Sequence, residues 1–239
     1  MGPQASSTAK RPFQTVPMKT EGKGQTQKFH VKHPSKNAGN KSLTAVALSG
    51  DIRERLDAFL KLLQLWNQRF NLVSRSDLAL AGEKHVADSL QLMPFLIGPE
   101  HTALDLGSGA GFPGLVLAIA SGWHFHLIEA NRRKAAFLRE AARITGASVS
   151  IHQERIEQIQ LPPVPIVTAR ALAPLDRLLA LAQPFLAPHG HCLFLKGRSV
   201  EKELATARRN WHMNVTITPS ETLAHSVILQ ISELARAPA

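Results

Sequence analysis

From Ala103 to Gly114 the chain runs Ala-Leu-Asp-Leu-Gly-Ser-Gly-Ala-Gly-Phe-Pro-Gly, and this stretch constrains the possible folds more than any other. An apolar run of Ala103, Leu104 and Leu106 carries one carboxylate, Asp105, and opens into a loop holding Gly107, Gly109, Gly111 and Gly114. An apolar, helix-like segment, Leu115 to Ala120, follows at once. Strand, glycine turn and helix in that order bring backbone N–H groups and a helix N-terminus up to a nucleotide-like ligand. Side chains on the turn would block that approach, and glycine also accepts the positive φ such a turn needs.

The glycines alone fit two ligands. Gly109-x-Gly111-x-x-Gly114 satisfies the dinucleotide fingerprint, with Glu129 at the expected distance of about 20 residues for a ribose-binding acid. Read from Asp105 as Asp-x-Gly-x-Gly-x-Gly, the same stretch suggests a site for S-adenosylmethionine (AdoMet).

A chain of 239 residues with 44% apolar content is large enough for a full core, as one domain with or without a small helical extension. No apolar run approaches the ~18 residues that span a bilayer, so a soluble protein is expected. The single cysteine, Cys192, lies in an apolar run and reads as a small buried hydrophobe; with no partner in the chain it fits a reducing compartment. A net charge of +10 points toward nucleic acid, yet residues 1–44 hold eight Lys and Arg against one acid, Glu21. The remainder is nearly balanced, so an RNA footprint on the folded part has to be a local patch.

Residues 1–44 lack apolar periodicity and are expected to form a disordered basic tail. They carry no secretory h-region, and Met1-Gly2-Pro3-Gln4-Ala5-Ser6 matches the loose myristoylation pattern only weakly. Within the tail, Phe29-His30-Val31-Lys32 is encodable as the palindrome TTTCACGTGAAA, which resembles a bacterial chromosome-partition site; this is an expectation about coding DNA rather than fold.

From Gly50 the pattern is helical, with Asp51 as the expected N-cap and Glu54 completing a capping box. Ile52, Leu56, Phe59, Leu60 and Leu63 form one apolar stripe. Ser76 is read as the cap of a short helix, and another starts at Glu83. There His85, Asp88 and Ser89 share a face, a spacing that suits a site lining and a capping and packing network equally.

Strands are expected at Trp123–Ile128, Ser148–Ile151, Pro163–Thr168, Cys192–Leu195, Val215–Thr218 and Ser226–Ile231, with helices over Asn131–Ile144, Leu175–Leu186 and Glu201–Arg209. Gln153 to Glu157 forms the loop where an adenine-contacting segment would lie. His124/His126 and His189/His191 each alternate onto a strand face, but no third ligand has zinc spacing, so no metal is expected. The last two strands have only a short connection, which favours an antiparallel pair and tips the fold from NAD proteins toward AdoMet methyltransferases.

Several separate segments resemble one family, the bacterial small-subunit (16S) rRNA guanine-N7 methyltransferases of the RsmG/GidB type. They are Trp66-Asn67-x-x-Phe70-Asn71-Leu72, His85-x-x-Asp88-Ser89, Leu104 to Gly114, Arg133-Lys134-x-x-Phe137-Leu138, Ala169-Arg170-Ala171 and Leu195-Lys196-Gly197. The resemblance implies an α/β, Rossmann-like class I AdoMet-dependent methyltransferase sheet with a terminal antiparallel strand and an N-terminal helical extension. Its parts would be a tail over 1–44, the extension over 45–98 and the methyltransferase domain over 99–235.

The resemblance also implies AdoMet contacts at Gly107, Phe112, Ile156, Glu157 and Arg170, with Gly109 in the same loop. The general methyltransferase layout adds Asp105 toward the methionine end and Glu129 toward the ribose. Arg132, Arg133, Lys134, Lys196 and Arg198 are candidates for RNA phosphate contacts, and His85 for the site rim. No residue is expected to act as acid or base; Arg170 is the candidate orienting residue. The implied partner is 16S rRNA or the small ribosomal subunit, with a monomeric, cytoplasmic enzyme and no membrane. A methyltransferase for another substrate, an NAD-dependent oxidoreductase and a non-catalytic ribosome-binding factor are the alternatives.

Overall fold

The computed structural model describes residues 48–222 and 224–238. The expectations for residues 1–44, including Phe29–Lys32, lie outside these.

The first helix, α1 (Gly50–Phe70), buries the expected stripe, with Phe59 and Leu63 wholly covered. Its N-cap is Ser49 rather than Asp51: the Ser49 hydroxyl accepts from the Ile52 N–H at 3.4 Å. Starting there gains one more helical bond, Arg53 N–H to Ser49 C=O, and leaves Asp51 in the first turn, where its charge complements the positive end of the helix dipole and lies 3.7 Å from Arg55. At the other end buried Asn67 accepts from the Val73 N–H at 2.9 Å and turns the chain out of the helix. The cap of α2 (Arg75–Ala79) is likewise Ser74 and not Ser76, its hydroxyl accepting from the Asp77 N–H. The helix expected from Glu83 is two pieces, a wide π-type turn over Ala81–Val86 and α3 (Ala87–Leu90).

Seven strands make one sheet: β1 (Thr102–Leu106), β2 (His124–Ile128), β3 (Val149–His152), β4 (Val164–Arg170), β5 (Leu186–Lys196), β6 (Trp211–Pro219) and β7 (Val227–Arg236). The order is β3-β2-β1-β4-β5-β7-β6; β1 to β5 are parallel, and β7 is antiparallel to both β5 and β6. Between strands run α4 (Gly114–Ser121), α5 (Arg132–Thr145), α6 (Leu175–Ala182) and α7 (Val200–Ala207).

The main departure from expectation is β5. Pro184 ends α6 in a 3₁₀ turn, and the strand begins at Leu186 instead of Cys192. Its pairing with β4 jumps from Val164↔Leu186 to Ile166↔His191, with His189 at φ +62° in the irregular stretch. His189 and His191 are therefore no alternating pair.

α1, α4 and α5 cover one sheet face, where Phe59 and Leu63 join Leu115, Phe125 and Phe137 in a single cluster. α6 and α7 cover the other, around Leu104, Val167, Leu179 and Phe194. The segment from α1 thus shares its core with the sheet. Among the described residues no helix is long and apolar enough to cross a membrane.

Candidate active site

The parallel strands all end on one edge, and the chain there supplies the glycine loop after β1, Glu129 after β2 and Ala171 after β4. Between them lies a cavity of about 370 Å³ lined by Gly107, Gly109, Glu129, Ile156, Glu157 and Leu172 among others. Gly107 and Gly109 have φ of +65° and +57°. A Cβ on Gly107 would stand 2.6 Å from Leu172 Cδ1, so the loop is a cradle that a side chain would fill. Glu129 holds it in place: one carboxylate oxygen accepts from the Gly109 N–H at 2.9 Å, the other from the Asn131 N–H at 2.7 Å.

Asp105 lies beneath the loop and not on the cavity wall. It is completely buried, accepting from the Thr168 hydroxyl at 2.7 Å and the Gly114 N–H at 3.3 Å. Burial raises its pKa to about 6, opposed chiefly by the Thr168 bond. Asp105→Asn keeps an acceptor for Gly114 and removes the buried charge. The folded carboxyl holds its proton more tightly than the unfolded one, so its cost to the fold grows as pH rises from 3.8 and is full above about 6. The variant is expected to be more stable by about 3 kcal/mol at pH 8 and by about half that at pH 5, as read from urea denaturation.

Phe112 also stands behind the cavity. It packs edge-on against Phe59 at 5.4 Å, and the Arg170 guanidinium sits over its ring at 5.1 Å. Arg170 Nη1 lies 2.6 Å from His85 Nδ1, and His85 Nε2 is 3.4 Å from Asp77. Burial, helped by the Arg170 charge, lowers the His85 pKa. The neutral ring then accepts from Arg170 through Nδ1 and turns its N–H toward Asp77. The ring read as part of the rim is an internal prop for Arg170. The wide turn over Ala81–Val86 delivers it there.

Arg170 opens on a second cleft of about 350 Å³, shared with Asp88, Lys196, Gly197, Glu203 and Ser226; Ala171 lines both openings. Lys196, a candidate phosphate contact, is engaged within the fold. Its ammonium is paired with Glu203 and donates to the Ala173 carbonyl at 3.0 Å, so its charge is already matched. Arg132, Arg133 and Arg198 are exposed, with Arg133 over the Phe70 ring at 5.9 Å, whereas Lys134 turns into the first cavity. The His85, Asp88 and Ser89 face serves both of its readings. Ser89 donates to the His85 carbonyl at 2.7 Å, and Asp88 ties down the turn at 220–222 while lining the second cleft.

His126 Nδ1 is 3.1 Å from His152 Nε2, and His124 bonds to Ser148 and Ser150. Among the described residues no group of three or more His, Cys, Asp or Glu is arranged to hold a metal ion. Nothing in the sequence marks the Lys196–Glu203 pair or the prop from Asp77: the partners are near in the chain, but each contact crosses from one element to the next, where no helical or strand spacing predicts it.

A family profile described as GidB, rRNA small subunit methyltransferase G, matches residues 52–228. The chain belongs to this family. It is 47% identical over 211 residues to "Ribosomal RNA small subunit methyltransferase G" of Granulibacter bethesdensis, covering 87% of this chain and 99% of that one. It is 50% identical over 191 residues to the protein of the same name from Rhodospirillum centenum, covering 80% and 88%. Among solved structures, the ribosomal protein L11 methylase of Lactobacillus delbrueckii subsp. bulgaricus superposes with a TM-score of 0.51 at 15% identity, over 62% of this chain and 77% of that one; this likeness shows the fold.

As a member of the GidB family the chain is an AdoMet-dependent methyltransferase. The dinucleotide reading of its glycines falls, since that sheet has the order 3-2-1-4-5-6 and lacks the inserted antiparallel strand seen here. The residues present suit the cofactor: a glycine cradle that a Cβ would fill, and a carboxylate, Glu129, on the wall beside it.

Proposed function

We propose that the protein methylates N7 of a guanosine in 16S, small-subunit ribosomal RNA. The names of the relatives support an rRNA target. The observation that carries the proposal is the shared wall at Ala171, which sets the glycine-cradled cavity beside a polar cleft on the same sheet edge. A methyl donor in the first opening faces an acceptor in the second.

When bound, AdoMet supplies an electrophilic methyl group. Gly107 and Gly109 admit its close approach, and Glu129, whose oxygens can each accept a further hydrogen bond, receives the ribose hydroxyls. Ile156 and Glu157 flank the adenine. Asp105 and Phe112 act from behind, bracing the loop and Arg170. Guanine N7 presents an unprotonated lone pair, so no side chain has to remove a proton first. The chain's contribution is alignment, for which effective molarity is the main lever. Arg170 orients the acceptor, and exposed Arg132, Arg133 and Arg198 contact RNA phosphates. One chain holds both openings, in keeping with a monomer working in the cytoplasm, where small subunits assemble.

The test uses purified protein, methyl-labelled AdoMet and small subunits from cells lacking the protein. Nucleoside digestion should place the label in 7-methylguanosine. Label in another nucleoside, or none in RNA, would overturn the proposal.

A further inference from the structure

Asp88 is a buried carboxylate that the fold uses only by half. It is 2% exposed. Its Oδ1 accepts from Gln91 Nε2 at 3.2 Å, the Ser220 hydroxyl at 3.3 Å and the Thr222 hydroxyl at 3.1 Å. Among the described residues Oδ2 receives no hydrogen bond, and Asp88 lines the second cleft. Arg170 lines the same cleft with one guanidinium nitrogen committed to His85 and its plane set by Phe112. Asp88 is the leading charge favouring the protonated guanidinium, yet the two do not hydrogen-bond to each other. The open oxygen faces the cleft, where a donor on a ligand can take the place of solvent.

We propose that the second cleft is a reader for an extruded guanine base, with Asp88 and Arg170 as the residues that determine its specificity. This rests on the guanine-N7 reading above. Guanine offers donors at N1 and N2 along one edge and acceptors at O6 and N7 along the other. The open Asp88 oxygen takes the N1–H and N2–H₂ donors, and a free Arg170 N–H donates to O6. Held by that edge, the base turns N7 away from Asp88 and toward the opening across Ala171. Bases withdrawn from a stack are commonly recognised on this edge.

Adenine fails at both contacts. Its N6 amino group sets a donor against Arg170, and its N1 acceptor faces the Asp88 carboxylate. The paired charges of Lys196 and Glu203 leave the cleft floor without excess positive charge, which suits a neutral heterocycle better than a phosphate.

The experiment fills the first cavity with S-adenosylhomocysteine and offers GMP, IMP and AMP at millimolar concentration, with contact followed by saturation-transfer NMR. Wild type is expected to favour GMP over IMP, which lacks the N2 amino group, and IMP over AMP. Asp88→Asn retains an oxygen for Ser220 and Thr222 but presents an amide to the cleft, and should abolish that order. On small subunits the same variant should lose roughly ten- to hundredfold in kcat/KM, with AdoMet affinity unchanged by calorimetry. A fold defect alone would not alter the order among the three nucleotides. If the variant does not fold, the wild-type order decides by itself.

Equal contact with GMP and AMP, or an unaltered order in Asp88→Asn, would sink the assignment. Formation of 7-methylguanosine by an enzyme with no nucleotide preference removes the cleft proposal alone. A GMP preference without RNA methylation upholds the cleft and removes the proposed function.

Discussion

Gly107→Val is expected to lower AdoMet affinity by about 100-fold or more, close to 3 kcal/mol, while the protein still folds. Two effects act together. Gly107 holds φ at +65°, a region in which a β-branched residue is a genuine outlier and strain reaches about 1–3 kcal/mol. The new side chain also starts 2.6 Å from Leu172 Cδ1 and projects into the cavity wall. Leu172 is a flexible, half-buried side chain that can move aside, which is why the cost falls on the ligand more than on the fold. Isothermal titration with AdoMet, beside a thermal melt, separates the two. A variant that binds as wild type does would mean that the cofactor lies elsewhere.

Gly114→Ala should do the reverse and damage the fold itself, by about 3 kcal/mol, at the upper end of the usual cost of overpacking. Gly114 opens α4 directly against the sheet. A Cβ there would meet Asp105 Cβ at 2.6 Å, Asp105 Oδ2 at 2.7 Å and Leu127 Cδ2 at 2.7 Å. All three neighbours are core groups with no exit, so the helix has to lift and lose the bond from the Gly114 N–H to Asp105. Urea denaturation measures the loss. Gly50→Ala is the control: nothing lies within 4 Å of a Cβ at that position, and alanine in the first turn of α1 should be neutral or slightly stabilising. Equal midpoints for the two variants would refute the close contact between α4 and β1.

The contrast shows what the glycines mean. In sequence they are four equivalent letters in one loop. In the structure Gly107 lines a cavity and Gly114 serves a helix–sheet contact, and only the packing around each tells them apart. Asp105 and Glu129 part company in the same way. Each sits at or just beyond the C-terminal end of a strand, but one is sealed beneath the loop and the other reaches the cavity.

What the sequence determined by itself was whatever depends on local rules. Apolar periodicity placed α1 and the strand–loop–helix, the short last connection made β6 and β7 antiparallel, and the motifs from Trp66 to Gly197 marked the family. These follow from side-chain spacing and backbone preference within a few residues. Cap positions slipped by two residues because Ser49 and Asp51, like Ser74 and Ser76, are both competent caps, and the choice falls to how much helix the core can use. Only the tertiary structure decided which charged groups are free. Lys196 is matched by Glu203, His85 is turned inward to Arg170, and half of Asp88 is left facing a cleft. Each pairing crosses between separate elements, near in the chain for Lys196 and Glu203 and far for His85 and Arg170, and the energy of a charge depends on burial and partners that sequence spacing does not carry.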